Sequence, residues 1–147
     1  MATVSRNRLG NSQNGYQGNR KRVLCVCSAG LLRSPTLAVV LSQPPFNFNT
    51  RAVGTDQEFA LVPIDAVHVA WAEEIVVMDW GQAGVVQGLM LELHEMSRGF
   101  DTFSADKPVH VFNIPDDYGF MDEQLVELLR NQSLKTFDIN QEDLQDE

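Results

Sequence analysis

The stretch Val23-Leu24-Cys25-Val26-Cys27-Ser28-Ala29-Gly30-Leu31-Leu32-Arg33-Ser34-Pro35 decides the fold. It opens on an unbroken apolar run over Val23–Cys27, as a strand buried on both faces would. Small residues then make a loop. Ser34 followed by Pro35 predicts a helix start over 35–41, a capping hydroxyl with proline at the first helical position.

Working outward, the same alternation continues. Thr50–Val53, ended by Gly54, reads as a second strand. Pro63–Ala70 predicts a helix opened by proline, and Ile75–Met78 a third strand. Gly84–Met96 carries Val85, Leu89, Leu93 and Met96 at helical spacing. Val109–Ile114 predicts a fourth strand. Asp122 then caps a helix whose apolar face is Leu125, Leu128 and Leu129. Strands alternating with helices give an α/β fold: a small open four-stranded parallel sheet with helices on both faces. Right-handed crossovers bring the loops after successive strands to one edge, where open sheets of this kind bind ligands.

This domain is expected over 21–140. Residues 1–20 are mostly Asn, Gln, Gly, Ser and Arg, too polar to offset their ordering entropy, and predict a disordered tail. Residues 141–147 predict a frayed acidic end. At 147 residues, 44% of them hydrophobic, the chain suits one core. No apolar run approaches the roughly 20 residues of a membrane span. No apolar segment precedes Val23, so the cytoplasm is the expected compartment. The formal charge is −9, yet Arg6, Arg8, Arg20, Lys21 and Arg22 all precede the first acidic residue, Asp56. The acidic remainder lacks the basic face that nucleic acid binding needs. The two cysteines, Cys25 and Cys27, are too few for a disulfide framework and too few for a structural zinc. His68, His94 and His110 are scattered, so no metal and no cofactor is expected.

The loop between strand and helix carries chemistry. Five residues separate Cys27 from Arg33, enough to wrap a cradle of inward N–H groups around a phosphate. Ser28, Ala29, Gly30, Leu31, Leu32, Arg33 and Ser34 are the candidate phosphate-binding residues. The helix N-terminus adds a positive dipole and free donors, and the Arg33 fork grips two phosphate oxygens at once. That environment favours the thiolate, the nucleophilic form of Cys27. Ser34 is placed to donate to the sulfur besides capping the helix. The plain alternative is a pair of inert strand-end cysteines beside an ordinary junction.

Cys-x5-Arg-Ser-Pro after a first strand resembles the low-molecular-weight protein tyrosine phosphatase family. The likeness runs over most of residues 22–132. Arg51-Ala52-Val53-Gly54-Thr55 is similar to that family's Ala-Gly-Thr strand end, and Ile75-Val76-Val77-Met78-Asp79 to its third strand ending in Met-Asp. Ile114-Pro115-Asp116-Asp117-Tyr118 falls where the family carries its general-acid loop. A compact bacterial branch with an Ile-Pro-Asp-x-Tyr loop followed by Met-Asp is the nearest in pattern. The resemblance implies phosphomonoester hydrolysis through a phosphocysteine intermediate, acting on a phosphorylated protein or aryl phosphate. Where the family usually has Gly and Asn, this chain has Ala29 and Gly30. Leu32 replaces the family's second cysteine, so its protective disulfide is unavailable.

A leaving oxygen needs a proton donor, and the loop after the fourth strand opens at the same edge as Cys27. Asp116 fits the family spacing better than Asp117, which stays open, as does a reading of both as solvated turn residues. Tyr118, Phe120 and Trp80 are candidate walls for an aromatic substrate, while Trp71 and Cys25 read as core. Other readings remain. Val-Cys-Ser-x4-Arg-Ser also resembles phosphatases of the RNA polymerase II tail, which implies phosphoserine specificity. A non-catalytic phosphate-binding module is the rival class. Arsenate reduction would need more relay thiols than Cys25.

Overall fold

The apolar run that opens the quoted stretch forms strand β1, Arg22–Cys27, buried at every residue but the first. The computed structural model describes residues 20–28, 33–97, 107–115 and 117–137. The expected tails over 1–20 and 141–147 therefore lie outside the described residues, apart from Arg20. So does the end of the expected domain beyond residue 137.

Strand β1 is flanked on both sides. β2, Asn49–Gly54, runs along one edge and β3, Glu74–Val77, along the other. β4, Val109–Val111, pairs outside β3, so the order is β2-β1-β3-β4 with every pairing parallel. The register sets Cys25 between Ala52 and Val76. Four helices follow the strands in turn: α1 (Arg33–Ser42), α2 (Ala66–Trp71), α3 (Trp80–Ser97) and α4 (Glu123–Thr136).

Alternation along β1 divides the core. Val23, Cys25 and Cys27 pack with Leu37 and Leu41 of α1 and Leu125 and Leu129 of α4. Leu24 and Val26 face the other way, onto Val69 of α2 and Val86, Met90 and Leu93 of α3. Fully burying each of these aliphatic side chains stabilises the fold by roughly 1.5–3 kcal/mol. A sheet covered by helices on both faces is what the alternating pattern predicts. Among the described residues, no helix is long and apolar enough to cross a membrane.

Several boundaries differ from the sequence expectation, each for a local reason. Helix α1 starts at Arg33 rather than after Ser34. The Ser34 hydroxyl is fully buried and points at β1 and β2 instead of capping its own helix. Pro35 then sits third in the helix, still among the first-turn positions whose N–H has no intrahelical acceptor. The helix expected from Pro63 begins at Ala66. Val62 and Ile64 are tied to Gly54 through their backbones (Gly54 N–H to Val62 O, 3.0 Å; Ile64 N–H to Gly54 O, 2.8 Å), which holds this segment extended. Asp65 makes the cap, with His68 completing a capping box. Helix α3 begins at Trp80, four positions before the expected Gly84, because Asp79 accepts from Gln82 N–H at 2.9 Å. Asp122 caps α4 as expected, accepting from Gln124 N–H at 2.8 Å. Leu128, expected on its apolar face, is 41% exposed; Leu125, Leu129 and Ser133 form the buried stripe.

At the N-terminal ends of the strands, Glu74 gathers partners from two neighbours. Its carboxylate accepts from Lys21 and pairs with His110 Nε2 at 2.7 Å. Burial alone pushes this carboxyl up, but the Lys21 and His110 hydrogen bonds together outweigh it and hold Glu74 below its ordinary value.

Candidate active site

Parallel pairing ends all four strands at one edge, and Cys27 is the last residue of the central one. The chain leaving it is held by backbone bonds from the β2 side: Thr55 N–H donates to Cys27 O at 2.9 Å, and Asp56 N–H to Ser28 O at 2.8 Å. The Cys27 residue is only 3% exposed.

The start of α1 closes on the sulfur. Ser34 Oγ lies 3.1 Å from Cys27 Sγ and 3.2 Å from Val53 O. The hydroxyl has a single hydrogen, so the two contacts are coupled. With a thiol, Cys27 donates to Ser34 and the Ser34 hydrogen goes to Val53 O. With a thiolate, that hydrogen turns to the sulfur. Helix α1 has no acidic residue in its first turn, so its N-terminal dipole is unopposed where an anion would sit.

Arg33 reaches across this edge. It is 4% exposed, and its Nη1 donates to Ile114 O at 2.7 Å, just past the end of β4. A second tie follows on the next turn, where Met121 N–H donates to Thr36 Oγ1 at 2.9 Å. Asn113 and Met121, at φ 56° and 59°, bracket the loop between these anchors. Asn tolerates the left-handed region; Met does so at a cost, here against the Thr36 bond.

Cys27, Ser28, Arg33 and Ser34 are thus brought together. Ala29, Gly30, Leu31, Leu32 and Asp116 lie outside the described residues, while Asp117 is exposed on the loop that Arg33 anchors. Tyr118 packs against the core on the α1 and α4 side. Phe120 and Trp80 are 48% and 74% exposed, on the segments that follow β4 and β3.

No family model matches the sequence. No curated protein matches it either. Solved structures do match. The crystal structure of the tyrosine phosphatase Wzb from Escherichia coli K30, in complex with phosphate, aligns at a TM-score of 0.52 and 16% identity, over 82% of this chain and 99% of its own. Vibrio vulnificus Wzb in complex with benzylphosphonate aligns at a TM-score of 0.52 and 18% identity, over 80% of this chain and 97% of its own. This chain has the Wzb tyrosine phosphatase fold.

On that fold the sequence finds the strand-to-helix residues and misses two supports. Gln82, 3% exposed, bridges Met78 N–H (2.7 Å) and Ser28 Oγ (3.3 Å). Thr36 holds the far end of the strand-four loop. The spacing Asp79-x-x-Gln82 signals only a helix start, since a capping box would aim the Gln82 amide at Asp79 N–H rather than at Met78 N–H and Ser28 Oγ. Cys25 is fully buried as expected, and burial, with Cys27 adding, pushes its thiol well up. Trp71 is partly buried, packed against the core on the α2 and α3 side, with its ring also covered by the Arg51 guanidinium at 4.4 Å.

Proposed function

We propose that this protein is a cysteine-dependent phosphomonoesterase of the protein tyrosine phosphatase type, needing no metal. The observation that carries the proposal is Cys27 Sγ, 3.1 Å from Ser34 Oγ at a helix N-terminus, with the Arg33 guanidinium buried at the same junction. In this mechanism the Cys27 thiolate attacks phosphorus in line. The phosphorus–sulfur bond forms as the phosphorus–oxygen ester bond breaks, and Asp116 gives its proton to the leaving oxygen. Water then attacks the phosphocysteine, returning its proton to Asp116 and releasing inorganic phosphate and the thiolate. Arg33 and the loop N–H groups of residues 28–34 hold the three non-bridging oxygens.

An aryl ester fits best. Trp80 and Phe120, exposed on segments leaving the same edge, offer aromatic faces to a phosphotyrosine ring. Two structures of this fold, both tyrosine phosphatases, hold phosphate and benzylphosphonate, the second an oxyanion that carries a phenyl ring.

The test is turnover of p-nitrophenyl phosphate with vanadate as inhibitor. The wild-type chain is expected to hydrolyse the ester and to be inhibited competitively. Cys27→Ser is expected to lose turnover by several orders of magnitude, as removal of a nucleophile does, yet still bind vanadate. A Cys27→Ser enzyme with substantial activity would overturn the proposal.

A further inference from the structure

Between Cys27 and Arg33 the loop residues Ala29, Gly30, Leu31 and Leu32 bring no polar side chain. A cradle built from them has no side-chain hydrogen bonds of its own, and Gly30 adds backbone freedom that must be frozen. Stiffness has to come from its neighbours.

Gln82 is the neighbour in place to supply it. It is buried at the first turn of α3, and its amide can face only one way. Met78 N–H is a donor, so the atom 2.7 Å from it must be the Gln82 oxygen. The amide nitrogen is thereby turned to Ser28 Oγ, 3.3 Å away. Gln82 is itself fixed through its N–H to Asp79 Oδ1 at 2.9 Å. Ser28 is then held from both flanks, its carbonyl by Asp56 N–H from beyond β2 and its hydroxyl by Gln82 from beyond β3.

We infer that Gln82 is a positioning residue, which fixes the direction the chain takes as it leaves the nucleophile and so the aim of the oxyanion-binding N–H groups. This inference rests on the phosphatase proposal above.

A double-mutant cycle tests it, using Ser28→Ala, Gln82→Met and the pair together. For each, kcat and KM for p-nitrophenyl phosphate, the Ki for orthovanadate and the Tm are measured. Each single change is expected to lower kcat/KM and weaken vanadate binding by roughly 3- to 10-fold, the worth of one neutral hydrogen bond. The double variant is expected to lose no more than the worse single, because one contact is being removed twice. Gln82→Met also strips the acceptor from Met78, so its Tm falls. Ser28→Ala removes the same tether while leaving that bond intact, so its Tm falls less than that of Gln82→Met. Wild-type kinetics in Ser28→Ala, or losses that multiply in the double variant, would overturn the positioning role while the phosphatase proposal stands. A wild-type chain that neither turns over the ester nor binds vanadate takes both down.

Discussion

A lysine at position 33 could keep a bond to the Ile114 carbonyl, but it could not grip two phosphate oxygens beside it. Arg33→Lys is therefore expected to lose roughly 100- to 1,000-fold in kcat/KM, the scale of losing an oriented donor to developing charge. Near-normal steady-state kinetics would show the clamp to be misassigned. The proposed general acid, Asp116, has its own signature. Asp116→Asn is expected to cost roughly 100- to 10,000-fold on phenyl phosphate, whose leaving group needs a proton. The cost on p-nitrophenyl phosphate should be far smaller, and the basic limb of the kcat profile should flatten. Asp117→Asn, altering an exposed side chain, is the control; if the two variants exchange behaviours, the acid is Asp117. At this scale the sequence was most informative where function is local. Cys27, Ser28, Arg33 and Ser34 lie within eight positions of one another, so their spacing alone predicts their meeting. Gln82 is 54 positions from Ser28, and no local pattern says where its amide ends. Ser34 meets the sulfur as its position predicts, but its hydroxyl turns to Val53 O instead of capping the helix.

Helix boundaries followed the same logic one level up. The proline at 63 looked like a helix start, yet its neighbours are held by Gly54, a contact invisible to local propensity. Helix α3 opens earlier than its apolar period implies, because Gly81 and Gly84 dilute the pattern at its start while Asp79 caps it by accepting from Gln82 N–H. The short helix α2 leans on its ends. Asp65 caps it in front, and behind it Lys107 and Arg22 donate to the carbonyls of Val69, Ala70 and Trp71. Its box depends on pH through His68. Asp65 N–H donates to His68 Nδ1 at 3.2 Å, which requires that nitrogen unprotonated. Burial chiefly, with the Arg51 charge, outweighs Asp65 and lowers the His68 pKa below its ordinary 6.5. The unfolded chain then takes up this proton more readily than the folded one. The contribution is present above about pH 6.5 and is lost as pH falls through the lower folded value. His68→Gln keeps a side chain that can close the box but does not titrate. Its Tm is expected to fall less than that of the wild type between pH 7 and pH 5, as read by thermal melts. Parallel pH dependence in the two proteins would rule His68 out as the source.

At the scale of the whole molecule, the alternation of apolar runs with helical periods carries the parallel architecture, while the strand order, with a central β1 between β2 and β3, is set by long-range pairing that no local pattern reveals. Both layers of the core meet on that strand, Leu24 and Val26 on one side and Val23 and Cys25 on the other. The site hangs from the same strand at Cys27, so it has no independent unit to unfold with. Aryl phosphatase activity and far-ultraviolet ellipticity are therefore expected to fall at the same urea concentration. Activity vanishing well before the helical signal would mean that the site melts by itself.

The position of β1 has one more consequence, in the time domain. Its backbone is bonded to β2 on one side and β3 on the other, and its side chains face dry layers both ways. Deuterium reaches such amides only when the whole sheet comes apart. The strand that ends in Cys27 should thus be the slowest-exchanging segment among the described residues, a few positions from the loop proposed to bind phosphate.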